Sequence, residues 1–272
     1  MGASPPDLVG VMTAEGIKPV RLISRLDVKG TNLIKGIRFE GLRVIGAPNE
    51  KARQYYEQGV DELLYIDAVA SLYNRNYLGG LVSEVVKDVF VPITVGGGIR
   101  SVDDVRALLR AGADKVAINT AAVKDPGLLT RVAESFGRQC VVLSVEAKSV
   151  APGKWEVYTE GGRERSGRDV AEWIDEGIAR GAGEVLVTSV DQDGTETGAD
   201  LDLMAMAGEL STVPVIASGG IGSSTHAQEL VDAANVDAIA VGRALHYGRL
   251  DLGSLRHGLR SKGVGVRDYV SS

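Results

Sequence analysis

The sequence predicts an α/β protein of the (β/α)8 or TIM-barrel class, built from two similar half-barrels. Three observations carry this expectation. Eight short β-branched runs alternate with amphipathic helical stretches, one strand–turn–helix–strand pattern occurs twice, and 272 residues suit a single barrel domain of about 250 residues.

The runs that read as strands start near Arg21 (RLISRLDV), Glu62 (ELLYID), Pro92 (PITVGG) and Lys115 (KVAIN). Four more start near Cys140 (CVVLSVEA), Glu184 (EVLVTSVD), Pro214 (PVIASGG) and Ala238 (AIAVGRAL). Helical stretches follow, among them SVDDVRALLRAG from Ser101, GRDVAEWIDEGIARG from Gly167 and a last one near Asp251. Eight such units form either a closed barrel or an open doubly wound sheet. The repeat decides between them. VPITVGGGIRSVDDVRALLRAGADKVAIN begins at Val91, and VPVIASGGIGSSTHAQELVDAANVDAIAVG begins at Val213. LDVK at Leu26 pairs more weakly with VEAK at Val145, and DELL at Asp61 with GEVL at Gly183. Two equal halves close naturally into a barrel, whereas an open sheet needs distinct edge strands.

The barrel is assigned to residues 21–272, preceded by an extension over 1–20 expected to be loosely docked. That extension lacks the basic head and apolar centre of a signal peptide, so a cytoplasmic location is expected. No apolar run approaches the roughly 20 residues that span a bilayer. A formal net charge of −6 without a basic stripe argues against nucleic acid as a partner. Cys140 is the only cysteine, and His226, His246 and His257 show no ligand spacing, so neither a metal nor a cofactor is expected.

Gly96-Gly97-Gly98 ends the third strand and Ser218-Gly219-Gly220 the seventh. Glycines there let backbone amides approach an anion closely, and the following helix adds its dipole. The neighbouring strands end at Asn119-Thr120 and Gly242-Arg243, which supply donors beside each turn. A single glycine turn serves a tight bend as readily as an anion. Two related by a repeat predict two phosphate sites across one mouth, and hence a doubly phosphorylated substrate. Over the centre, Asp27 ends the first strand and Glu146 the fifth, in equivalent places of the two halves. A carboxylate inside an apolar strand is costly to bury unpaired, and two facing ones can serve as acid and base. The structural alternative is pairing with Lys29, Lys35 or Lys148. Asp193, in the DQDG turn after strand six, is a further candidate, although such a turn also forms without function.

At the opposite end, Arg21, Glu62, Lys115 and Glu184 each open a strand. Arg21 and Asp27 stand an even number of residues apart and share a face, so an inward Asp27 makes Arg21 inward too. Two cations and two anions would then ring the barrel floor, unless they are simply solvated strand ends.

LDVK with the downstream Lys35-Gly36, DELLYID, TVGGGIRSVDDVRALLRAGADKVAINTAAV, GAGEVLVTSVDQDGT and PVIASGGIG resemble the cyclase subunit of imidazole glycerol phosphate synthase, from about Arg21 to near Tyr247. The resemblance implies a barrel that takes ammonia from a glutaminase docked on its floor, the N-terminal face. The ammonia attacks a ribulosyl carbonyl of a bis-phosphorylated aminoimidazole carboxamide intermediate, giving imidazole glycerol phosphate and an aminoimidazole carboxamide ribotide. It further implies that Asp27, Glu146, Lys35 and Asp193 are catalytic. Gly97, Gly98, Asn119 and Thr120 would hold one phosphate, and Gly219, Gly220, Gly242 and Arg243 the other. Arg21, Glu62, Lys115 and Glu184 would be an ammonia gate. Four departures stand out: Glu146 where the family has aspartate, Arg25 where a small cysteine is usual, Arg243 in place of a serine, and KGTNLIKG rather than KDGRVVKG. Such drift is also seen in paralogues that serve aminotransfer to other acceptors, among them sugars. The alternatives are therefore an ammonia-channelling barrel for another phosphorylated or nucleotide-linked acceptor, and a non-catalytic scaffold that activates a glutaminase.

Overall fold

Strand β1 (Arg21–Lys29) buries every residue from Leu22 to Val28, as a strand must when one face lines a lumen and the other packs under helices. The computed structural model describes residues 19–70 and 78–269. In chain order β1 leads into an antiparallel hairpin of β2 (Asn32–Ile37) and β3 (Glu40–Gly46), then helix α1 (Pro48–Glu57) and β4 (Glu62–Asp67). There follow α2 (Leu78–Val85), β5 (Ile93–Gly96), α3 (Val102–Arg110), β6 (Lys115–Ile118), α4 (Thr120–Lys124) and α5 (Gly127–Phe136). The second half runs through β7 (Val141–Ala151), the hairpin strands β8 (Lys154–Thr159) and β9 (Glu164–Asp169), α6 (Val170–Ala179), β10 (Glu184–Ser189) and α7 (Leu201–Leu210). It ends with β11 (Val215–Ser218), α8 (Ser224–Ala233), β12 (Ala238–Val241), the short α9 (Arg243–His246) and α10 (Leu252–Ser261).

The strands β1, β4, β5, β6, β7, β10, β11 and β12 are each parallel to the next, and β12 pairs back onto β1. This is the closed (β/α)8 barrel, with the expected eight strands beginning within a residue of their expected starts. Equivalent serines of the repeat cap equivalent helices: Ser101 and Ser223 each accept from a backbone N–H in the first turn.

Two hairpins were not expected. They follow β1 and β7, the equivalent strands of the two halves, so the internal repeat extends to these excursions. One consequence is a shifted boundary: Gly167–Asp169 belong to β9, and the helix starts at Val170 with Asp169 as its N-cap. Residues 1–18 of the predicted extension lie outside the described residues. Val20, at its end, is buried and donates its N–H to the Gly265 carbonyl.

Alternation along the strands sorts side chains into two cores. Leu22, Leu26, Leu63, Tyr65, Leu143 and Val187 pack beneath the helices. Ile23, Leu64, Ala117, Val142, Leu186 and Ile216 fill the lumen in a separate cluster. That apolar plug divides the charged floor from the charged mouth.

Candidate active site

The parity that sends Ile23 into the lumen also sends Arg25 and Asp27 there, one layer higher. Asp27 is 4% exposed. Its Oδ1 accepts from Arg25 Nε at 2.8 Å and its Oδ2 from Lys35 Nζ at 2.5 Å. Lys35 arrives from β2, so the unexpected hairpin is what brings this lysine over the mouth. Lys35 also donates to both oxygens of Asp193, at 3.0 and 3.2 Å, and Asp193 is therefore tied to the centre rather than to its own turn. Burial pushes the Asp27 carboxyl up, but Arg25 and Lys35 push it down further and hold it well below the usual carboxylate range. Burial likewise works against the Lys35 ammonium, yet Asp193 and Asp27 raise its affinity for the proton. Of the expected alternatives, Lys35 does pair with Asp27.

Glu146 sits in a different environment. It borders both the larger cavity of the mouth and the smaller one it shares with Arg25, Asp27, Lys35 and Phe39. Its Oε2 accepts from the Gly162 backbone N–H at 2.7 Å. Burial pushes its carboxyl up to about 7, against the pull of that N–H and of Arg25. Two equivalent carboxyls thus differ in charge near neutrality, the usual division between a fixed anion and a proton carrier. The shift also bears on stability. Because the folded value lies above the unfolded one, the contribution is whole below about pH 4.5 and is lost as pH rises through about 7. Glu146→Gln is therefore expected to stabilise the fold at pH 8 by about 1–3 kcal/mol and by little at pH 5. Urea melts at the two pH values test this, and an equal effect at both would contradict it.

The two glycine turns are not equally open. At the first, Gly97 and Gly98 have φ of 96° and 71°, and a Cβ on Gly97 would lie 2.3 Å from the Asp67 carbonyl oxygen. Only glycine fits. The turn faces a cavity of about 310 Å³ lined by Asn119, Thr120, Ser144 and Glu146 among others. Asn119 Nδ2 donates to the Tyr158 carbonyl at 3.0 Å, and Thr120 Oγ1 accepts from the Glu160 N–H, so both side chains also seat the 158–160 segment. At the second turn, Gly219 and Gly220 have φ of 109° and 89°. The loop after β10 closes over it: Gly198 N–H donates to the Gly220 carbonyl at 2.9 Å, and a cavity of only about 20 Å³ is left. Gly242 and Arg243 line that space. Arg243 Nε donates to Glu196 Oε1 at 2.8 Å, and Arg249 holds the same carboxylate. Glu196 has a φ of 62°, a conformation that costs a non-glycine residue about 1–3 kcal/mol and tends to occur at functional sites.

On the floor, Arg21 contacts Glu62 at 2.5 Å and Glu184 at 2.6 Å, while Lys115 contacts the same two at 2.8 and 2.7 Å. The four form an alternating ring whose glutamate side chains are less than a tenth exposed, so these are not solvated strand ends. Breaking one partner out of a buried set of this kind typically costs about 3–5 kcal/mol.

Several residues of the mouth were not singled out from the sequence. Arg25 was noted only as a departure, yet it is 4% exposed and donates to Thr188 Oγ1 at 2.9 Å and Ser218 Oγ at 3.2 Å as well as to Asp27. Its even spacing from Arg21 and Asp27 was the signal that could have found it. Phe39, Gly162 and Glu196 lie in turns, where no periodicity points to a face.

Comparison with known proteins now decides the family. A family model described as "Histidine biosynthesis protein" matches residues 21–251. Imidazole glycerol phosphate synthase subunit HisF of Legionella pneumophila is 60% identical over 203 residues, covering 75% of this chain and 96% of that protein. The chain belongs to the HisF family. The subunit of the same name from Myxococcus xanthus is 49% identical over 250 residues, 92% of this chain and 98% of its own length. That from Streptococcus sanguinis is 44% identical over 247 residues, with 91% and 98% covered. The family match spans every barrel strand, including those that carry Asp27, Glu146 and the floor ring.

Proposed function

We propose that this chain is the cyclase subunit of an imidazole glycerol phosphate synthase, a carbon–nitrogen lyase. It joins ammonia to a bis-phosphorylated ribulosyl aminoimidazole carboxamide and releases imidazole glycerol phosphate and the carboxamide ribotide. The observation that carries the reading is the asymmetric pair of central carboxyls, Asp27 held as an anion and Glu146 poised near neutrality, set between two glycine turns. In the first step Glu146 gives its proton to the carbonyl oxygen as the nitrogen lone pair forms the C–N bond. The nitrogen then returns a proton to the Glu146 carboxylate. Asp27, Lys35 and Asp193 supply fixed charge beside the developing hydroxyl.

Ammonia would enter through the ring of Arg21, Glu62, Lys115 and Glu184 and rise through the apolar lumen, supplied by a glutaminase docked on that floor. One phosphate of the substrate would rest at Gly97, Gly98, Asn119 and Thr120, the other at Gly219, Gly220, Gly242 and Arg243, where it would take over the Arg243 guanidinium from Glu196. The tight second turn also favours a second reading, in which a different phosphorylated acceptor is anchored in the larger cavity. Steady-state turnover of the histidine-pathway intermediate with an ammonium salt separates the two. Consumption with formation of both products is expected; no consumption, with glutaminase stimulation intact, would leave the second reading. Crystals grown in phosphate are expected to show an anion beside Gly98 and, with Glu196 displaced, beside Gly220.

A further inference from the structure

Arg25 is a buried cation in the middle of the mouth, and its surroundings are built to hold it. Its guanidinium donates to Asp27 on its own strand, to Thr188 on β10 and to Ser218 on β11, spanning the lumen between them. From above, Phe39 stacks on it with its ring centroid 5.5 Å from the guanidinium carbon. Phe39 and its neighbour Arg38 form the tip of the hairpin between β2 and β3 with φ of 60° and 53°, both in the left-handed region without a glycine. Two strained residues at one tip mean that the contacts made there outweigh the strain. Phe39 also packs on Gly162, where an added Cβ would fall 2.6 Å from the ring, and the Gly162 N–H holds Glu146. One aromatic ring therefore connects the cation on Asp27 with the anchor of Glu146.

We propose that Arg25 is the positioning residue of this mouth: gripped by Phe39, it acts with Lys35 to fix Asp27 as an immobile anion, so that of the two central carboxyls Glu146 is the one that moves a proton. Each oxygen of Asp27 faces a cation, and a proton placed there would sit against a guanidinium or an ammonium. Glu146 has a backbone N–H on one oxygen and borders the large cavity. The charged groups that face Glu146 besides Arg25 are Asp27 on β1, Lys35 on β2, Asp193 after β10, and Glu160 and Arg163 in the turn after β8. Asp67, Arg100, Lys124 and Asp125 stand farther around the large cavity. Lys35 is shared between Asp27 and Asp193, and Lys124 pairs with Glu160; Arg25 is the cation that both donates to Asp27 and acts on Glu146, so its removal changes the balance between the two carboxyls.

The inference deepens the proposed reaction and rests on it for turnover, so the test has an arm that needs no substrate. Infrared carboxyl bands of the full chain are followed from pH 5 to 9 for wild type, Glu146→Gln, Asp27→Asn, Arg25→Met and Arg25→Lys. In wild type a carboxyl band titrating near neutrality is expected, absent from Glu146→Gln and present in Asp27→Asn. Arg25→Met should move it upward by about one pH unit or more, since a nearby cation favours the charged form. Arg25→Lys, which keeps the charge, should leave it near its wild-type position. In turnover with ammonium, Arg25→Met is expected to lose about a hundredfold in kcat with KM nearly unchanged, and Arg25→Lys to recover at least a tenth of wild type. A neutral-range band that disappears in Asp27→Asn instead, or one that neither arginine variant moves, overturns the proposal. Should wild type fail to consume the intermediate, the assigned reaction fails, and the infrared arm still decides the role of Arg25.

Discussion

Asp27→Asn is expected to lower kcat of the ammonium-supported reaction by about a hundredfold to a thousandfold while changing KM little. The substitution keeps the shape of the side chain but removes the charge that faces Arg25 and Lys35. Two buried cations then lose their common anion, and the introduced amide presents a donor toward one of them. The Arg25 guanidinium would keep hydrogen bonds to Thr188 and Ser218 only, and Lys35 to Asp193 only. The developing hydroxyl would meet a rearranged field rather than a fixed one, which is the kind of loss that appears in kcat. Steady-state kinetics with the intermediate and ammonium chloride measure it, with circular dichroism to show that the barrel is intact. A variant that turned over within a fewfold of wild type would remove Asp27 from the chemistry.

The barrel could be read from the sequence because its signals are local and repeated. Each barrel strand is a short apolar run followed by a helical stretch, and the second half repeats the first. The hairpins were harder to read, because ERSGRD in β9 carries no apolar alternation and the β2–β3 tip turns on Arg38 and Phe39 rather than on glycine or asparagine. Parity placed Arg21 of the floor on the face of Asp27, but whether the floor charges were solvated or paired depended on burial, which periodicity does not report. The same limit applied at the mouth. Arg25 was visible as an odd residue in an apolar strand, whereas its partners Thr188 and Ser218 lie on strands far away in sequence. The second glycine turn was recognised, and its closure by Gly198 and Glu196 was not, since nothing in TETG marks a residue that folds back onto that turn.

Glu146→Gln is expected to be at least as damaging as the loss of Asp27, about a hundredfold to ten-thousandfold in kcat, but for a different reason and with a different pH signature. With its carboxyl pushed up to about 7, wild-type Glu146 carries its proton on the acid side of neutrality and is an anion above it. Measured at constant free ammonia, kcat should therefore be level below about pH 7 and fall toward tenfold per pH unit above it. The glutamine variant should show a low, flat profile, because its amide cannot change charge. Glu146→Asp separates the need for a carboxyl from the need for its reach. Aspartate keeps the titrating group but ends one methylene short of the Gly162 N–H that Glu146 meets at 2.7 Å. Acid–base groups act within roughly 2.6–3.2 Å of the proton they move, so the shorter side chain should lose activity, yet it needs only a small adjustment of β7 to recover contact. A fall of no more than about tenfold, with the descending limb retained, is the expected result for aspartate. If the limb above pH 7 persisted in Glu146→Gln, the titrating group would be another residue, and the division of labour between the two central carboxyls would have to be redrawn around it.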